Sequence, residues 1–254
     1  MKTALPLLAA LLAAPLAHAQ ATDAQSDGQP RWTLGLIAIE RDAPYRQLDE
    51  DLLVVPLVRF EGERAYLRGL RGGFRLTEGD TFETSVFLQA RGDGYEAADS
   101  PFLAGMDDRR FSLDGGVALS WRVPRVGQFE LSAAIDLLDR SGGQEVDASW
   151  TGYVPAGQWR ILPTVSLRWQ SADLVDYYYG VRDAEALPGR PAYAGDAALL
   201  PEISVLATRP LGKRWQLFAR VGHTFLPSEI TDSPLVDDDR RTSIILGLGY
   251  ALPD

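Results

Sequence analysis

Residues 158–170, QWRILPTVSLRWQ, separate into two sets when taken alternately. Trp159, Ile161, Pro163, Val165, Leu167 and Trp169 form one; Gln158, Arg160, Leu162, Thr164, Ser166, Arg168 and Gln170 form the other. Successive side chains of a strand point to opposite faces, so this segment has an apolar face bounded by Trp at both ends and a largely polar opposite face. At about 3.4 Å rise per residue and a tilt of roughly 40°, Trp159 and Trp169 stand about 26 Å apart along the perpendicular. An apolar band of ~25 Å between two aromatic girdles is the outer surface of a transmembrane β-barrel. No stretch after the N-terminus offers some eighteen uninterrupted apolar residues, so a helical span is not expected. In lipid a closed barrel is then the structure that satisfies every backbone group.

The N-terminus reads as an export signal over residues 1–19. Lys2 gives a positive start, Leu5 to Ala14 a short apolar core, and Ala17-His18-Ala19 a small-residue cleavage site before Gln20. Residues 20–30 are small, polar and acidic, a disordered lead-in, and the barrel is assigned to 31–254. The chain has no Cys, which excludes a disulfide framework and thiolate metal sites. Its net charge of −10 argues against nucleic acid as a partner.

From residue 31 onward, period-2 segments alternate with turn residues. Trp32, Leu34, Leu36 and Ala38 form one apolar set; Phe82, Thr84, Val86, Leu88 and Ala90 another, opposed by Glu83, Ser85, Gln89 and Arg91, with Phe87 breaking the polar side. The same pattern recurs at 110–122, 128–137, 145–154, 215–225 and 243–252. The polar set carries charges in mid-strand: Arg91, Arg110, Asp114, Arg122, Glu130, Asp136, Glu145, Asp147, Arg160, Arg168 and Arg220 are expected to face a lumen. Buried charges must be paired or wet, so these either fill a closed interior or line a small pore; a narrow barrel favours the filled form.

Connection lengths alternate as well. Tight reversals fall at Val123–Gly127, Pro155–Gly157 and Pro210–Gly212, and long polar connections at about 41–51, 93–109, 171–197 and 226–240. With a first strand running outward and two short strands in 63–78, every long loop is extracellular and every tight turn periplasmic, giving about twelve strands. Pro56 and Pro163 lie inside strands, where each removes a ladder donor.

Around 171–197 the sequence resembles the MltA-interacting protein (MipA)/OmpV family of outer-membrane proteins. The resemblance is carried by Asp176-Tyr177-Tyr178-Tyr179-Gly180-Val181, by the acidic stretch Asp183-Ala184-Glu185-Ala186, by Pro191-Ala192-Tyr193 and by Ala43-Pro44-Tyr45 after the first strand. It implies an outer-membrane scaffold that brings a lytic transglycosylase together with a murein synthase in peptidoglycan assembly, or a surface adhesin. It supplies no catalytic residues.

The residues themselves point to no enzyme. His223 is the one His of the mature chain and shares the apolar face with Val221 and Phe225, so it is read as an interfacial residue; a Ser228–His223–Glu229 deacylase is the opposing reading. The chain contains no Asn, which excludes a Ser-His-Asn triad. Asp237-Asp238-Asp239 has the ligand type for a divalent cation, but a charge run beside Arg240-Arg241 is more often a solvated loop. No catalytic, cofactor-binding or metal residue is therefore assigned. The expected partners are outer-membrane lipid and lipopolysaccharide. Tyr177, Tyr178 and Tyr179 leave two readings open: an aromatic belt, or a functional loop, either a lid folded over the barrel or a docking surface.

Overall fold

The computed structural model describes residues 31–48 and 52–253; the signal and lead-in read over 1–30 lie outside them. The strands are β1 (Arg31–Arg41), β2 (Leu53–Glu61), β3 (Ala65–Arg68), β4 (Arg71–Glu78), β5 (Phe82–Arg91), β6 (Ser112–Val123), β7 (Gly127–Asp136), β8 (Gln144–Thr151), β9 (Val154–Ala156), β10 (Trp159–Gln170), β11 (Ala198–Leu211), β12 (Trp215–Phe225) and β13 (Arg240–Ala251). All pairings are antiparallel, each strand beside its chain neighbour, and β13 returns to β1. β8 and β9 both pair with β10 in one continuous register, Thr164 opposite Thr151 and Ile161 opposite Val154, so they are two pieces of one wall strand. The wall is thus a closed twelve-stranded barrel.

The alternation works out as the side-chain period demands. Leu36, Val54, Val86, Leu88, Leu131, Val165, Leu167, Ile203, Val221 and Leu246 are all exposed on the outer face, an apolar surface far larger than a water-soluble body displays. A belt of this kind belongs in lipid. At the short-turn end it is bordered by Trp32 against Phe60 (4.7 Å), Phe82 and Phe129 on either side of Trp121, Trp150, Trp159, and Trp215 against Tyr250 (4.9 Å). Five of the six Trp sit on this border, and Trp169 alone lies toward the other. Positive φ at Arg125 (66°), Gly157 (64°) and Gly212 (75°) closes the tight turns.

The 63–78 region does contribute two short strands, with the hairpin turning at Gly69 and Leu70. The strand prolines also find a place. The Gly152 N–H donates to the Pro163 carbonyl at 2.9 Å, and Pro163, unable to return a bond, faces the break between β8 and β9. Pro56 turns its missing donor toward the side where β3 is too short to reach. By the same alternation Pro155 and Pro210 face positions just past the ends of β7 and β10, and Pro201 faces Phe225, the last residue of β12, one position beyond the β11–β12 ladder. Pro163 alone interrupts a ladder that resumes beyond it, where it divides the wall strand into β8 and β9; the other four face positions that the ladder does not reach.

Candidate functional site

At the long-loop end four connections fold together into a lid. Helix α1 (Ala172–Tyr179) buries Leu174, Val175, Tyr178 and Tyr179, positions one turn apart on one side of the helix. Gly143 on the neighbouring loop admits that helix, since a Cβ there would overlap Leu174. Tyr45, from the loop after β1, packs edge-on against Tyr95 at 4.8 Å and flat against Tyr179 at 5.8 Å. Leu103, Met106 and the short helix α2 (Ser228–Thr231), through Ile230, complete the same apolar cluster. The Ser233 hydroxyl donates to the Tyr179 carbonyl (2.6 Å) and the Tyr193 hydroxyl to the Glu229 carbonyl (2.9 Å), tying the loops by their backbones. Of the two readings of the tyrosine triplet, the lid is the one the fold adopts.

The lid is latched by charge. Glu185 accepts from Arg109 Nη1 (3.1 Å) and Nη2 (2.9 Å) and from the backbone N–H groups of Asp107 (2.9 Å) and Arg182 (3.0 Å). Burial would raise the Glu185 pKa, but these donors outweigh it and hold the carboxyl at about 2. Arg190 reaches three carbonyl oxygens, those of Phe102, Ala104 (3.1 Å) and Glu185 (2.8 Å). Burial next to Glu185 pushes the Tyr95 hydroxyl up to about 12, against the opposing pull of Arg109.

Beneath the lid the lumen is divided by chemistry. On the β4–β8 side, Arg91 bonds Asp114 (2.8 Å from Nε) and Glu145 (3.0 Å) and lies 3.5 Å from Asp93, which also meets Arg41 at 3.5 Å. Arg168 lies between Glu145 (3.7 Å) and Asp147 (3.4 Å), and Arg220 pairs with Glu202. Burial opposes ionisation of Asp93 in its loop, yet Arg41, Arg241 and Arg91 keep its pKa below the ordinary value. Lower down, Arg71 meets Gln89 (2.8 Å) and Glu130 (3.4 Å), and Glu61 receives Arg59 (2.9 Å), Arg68 (2.6 Å) and Arg75 (2.6 Å). Ile37, Ile39, Val55, Leu162, Leu206, Phe218 and Ile245 pack into an apolar cluster inside the barrel, on β1, β2 and β10 to β13, with Arg168, Glu202 and Arg220 nearer the lid on three of the same strands.

Most of the expected lumen charges are brought together: Arg91, Asp114, Glu130, Glu145, Asp147, Arg168 and Arg220 line it. Arg122 and Arg160 lie toward the short-turn end; Arg122 comes within 3.9 Å of Glu83. Asp136 ends β7 and there accepts backbone N–H groups of Leu138, Arg140 and Ser141. Arg110 is a correction. It is exposed, because β6 starts only at Ser112 and the alternation does not extend back into the loop; its neighbour Arg109 is the buried cation. Phe87 does point inward, under Arg71 (4.1 Å to its centroid) and over Gly116, where a Cβ would overlap its ring. Not foreseen were the apolar lumen sector and the partners Arg41, Asp93, Glu185, Arg190 and Glu202. The runs LGLIAI (34–39) and LVVPL (53–57) carried the signal for the apolar sector, being apolar at both parities.

His223 lies on the outer face, 4.9 Å from Phe225 and 3.3 Å from the Thr242 hydroxyl, whereas the Ser228 hydroxyl bonds Glu229 at 3.4 Å. The three do not form a relay. Asp237 is held by Arg46 at 2.5 Å, and no group of three metal-ligating side chains gathers among the described residues. At the short-turn rim, Tyr153, Pro155, Trp159, Arg160 and Pro210 border an open groove of about 400 Å³.

A closed antiparallel barrel with a lipid-facing belt, a girdle of Trp and an interior lined by ion pairs defines an integral protein of the outer membrane. More narrowly, the chain belongs to the MltA-interacting protein MipA family, whose model matches residues 34–252. It is 29% identical over 221 residues to the "Putative outer membrane protein YiaT" of Escherichia coli K12, covering 86% of this chain and 89% of that one. It is 28% identical over 230 residues to the "MltA-interacting protein" of the same organism (89% and 92% covered) and 26% identical over 206 residues to "Outer membrane protein OmpV" of Vibrio cholerae (80% of each). Among solved structures, the NanC porin aligns with a TM-score of 0.46 at 10% identity, over 86% of this chain and all of that one.

Proposed function

We propose that this barrel is a non-conducting, non-enzymatic anchor that docks murein-processing enzymes, a lytic transglycosylase and a murein synthase, at its periplasmic rim. The observation that supports the reading is the crowded interior: the lid, the inward-facing ion pairs and the apolar sector converge on the path a solute would take, which turns attention to the rims as working surfaces. The name of the MltA-interacting relative supports the choice of partner. The groove lined by Tyr153, Pro155 and Trp159 supplies an aromatic-proline surface with Arg160 at its edge, the composition of a protein-docking patch.

The test uses the refolded barrel, a purified lytic transglycosylase and a purified murein synthase. Retention of the transglycosylase on the immobilised barrel, weakened at least tenfold by Tyr153→Glu, supports the reading. Retention indifferent to Tyr153→Glu, or none at all, overturns it. Stable unitary conductance steps in a planar bilayer would replace it with the pore reading.

A further inference from the structure

Positive charge is in excess at one mouth of this barrel, although the whole chain carries −10. The inward faces of β2 to β4 bring Arg59, Arg68 and Arg75 onto the single carboxylate of Glu61 at 2.9, 2.6 and 2.6 Å. Beside them Arg71 meets Glu130 at 3.4 Å, and Glu83 lies 3.4 Å from Arg75 Nε and 3.9 Å from Arg122. Five guanidinium groups thus share three carboxylates. Nearer the lid the balance runs the other way, Arg41, Arg91, Arg168 and Arg220 meeting Asp93, Asp114, Glu145, Asp147 and Glu202. The tight turns that ring the lower mouth add Arg64, Arg125, Lys213 and Arg214 against Glu63 and Asp80.

The arginines are held in place. The Tyr66 ring lies against Arg68 (4.5 Å to its centroid) and Arg75 (5.3 Å), and its hydroxyl meets that of Ser85 at 3.4 Å. Arg75 is 7% exposed, and its Nε–H, like that of Arg122, is buried without a hydrogen bond. Donors left over beside unbalanced buried charge call for an anion, since such charge must be paired or solvated. Glu61 stands opposite Arg31, the first residue of β1, so the cluster opens at the periplasmic rim. Its position limits what can enter. The side chains of Arg59, Arg68, Arg71 and Arg75 are between 8% and 18% exposed and lie inside the wall, out of reach of a folded protein surface and of phospholipid headgroups around the barrel. A slender chain that ends in carboxylates can reach them. The periplasmic polymer with such ends is murein, whose stem peptides are short, flexible and carry free carboxylates. Two guanidinium forks in excess match two carboxylates, each taken in bidentate fashion.

We propose that this arginine cluster binds the carboxylate end of a murein stem peptide, so that the barrel grips the polymer as well as the enzymes that process it. The choice of murein rests on the anchor role proposed above. The two are measured apart, enzyme retention without murein and murein binding without enzyme, so either can fail alone.

The refolded barrel in non-ionic detergent is sedimented with enzyme-free murein sacculi. The barrel should co-sediment, and a soluble stem tetrapeptide should displace it. Sacculi whose carboxylates have been converted to amides should retain at least tenfold less, a comparison that needs no variant of the barrel. Arg68→Gln with Arg75→Gln should weaken binding at least tenfold; Arg125→Gln with Lys213→Gln, which removes the same charge from exposed turns, should weaken it less than threefold. No co-sedimentation, equal retention on amidated sacculi, or equal loss from the two double variants overturns the proposal. Displacement by polyglutamate as effective as by the tetrapeptide, at equal carboxylate concentration, would give the site to an acidic protein tail and overturns it too.

Discussion

Arg109→Met should open the lid without unfolding the barrel. In the native protein the Arg109 and Glu185 side chains are 1% and 5% exposed, and Arg109 supplies two of the four donors to the Glu185 carboxylate. Removing one partner of a buried pair costs roughly 3–5 kcal/mol, because the other charge stays buried. Glu185 retains the Asp107 and Arg182 N–H groups, so the lower end applies; ~3 kcal/mol multiplies the open fraction about 150-fold. The assay is trypsin cleavage after Arg182 in the folded barrel, since the Arg190–Pro191 bond resists trypsin, and its rate follows the open population when reclosing is fast. The double variant Arg109→Met with Glu185→Leu, having no stranded charge, should be cleaved more slowly than Arg109→Met alone. A cleavage rate for Arg109→Met within threefold of the parent's, with the barrel intact, would refute the latch.

Acid should act through the same carboxylate. With its native pKa held at about 2, below the ordinary carboxylate value, Glu185 contributes stability above pH ~4.5 that is lost as pH falls toward 2; amide exchange of the lid should accelerate over that window, and Arg109→Met should flatten the dependence. Leu167→Arg places a charge on the lipid face at a cost of roughly 2–4 kcal/mol and should depress refolding yield, while Ser166→Arg, on the lumen face, should not; equal yields would contradict the face assignment. Gly247→Ala puts a Cβ into the Phe218 ring and should lower stability by about 1–3 kcal/mol in urea titration of the refolded barrel, against no change if the apolar sector is loosely packed.

The wall was legible in the sequence because its signal is local: Trp159 to Trp169 spells one strand, and the turn expected at Pro155–Gly157 falls at Gly157-Gln158, Pro155 and Ala156 belonging to β9. The short hairpin in 63–78 followed from counting long and short connections. The lid was not legible to the same degree. Tyr45 meets the Tyr178 carbonyl across 133 residues of chain, and a tyrosine run reads alike whether it faces a membrane surface or a folded loop. Arg109 and Arg110 are indistinguishable as letters; which one is buried depends on where β6 begins. The apolar lumen sector was hidden for another reason. Alternation picks out one set of residues and assigns the other to a polar interior, yet Ile37, Ile39 and Val55 show that a filled barrel accepts hydrocarbon on both faces.

The five strand prolines act as register marks. A strand that slides by one residue exchanges its faces, and the lipid rejects it because charges come out and apolar side chains go in. A slide by two residues keeps the faces correct, so the apolar pattern is blind to it. In one direction, that slide would bring Pro163 opposite a β8 residue seeking a donor, or Pro201 into the β12 ladder, and a bond would be lost in a medium that offers no replacement. Assembly of this wall is thereby checked twice, by hydrophobicity for odd errors and by missing protons for even ones.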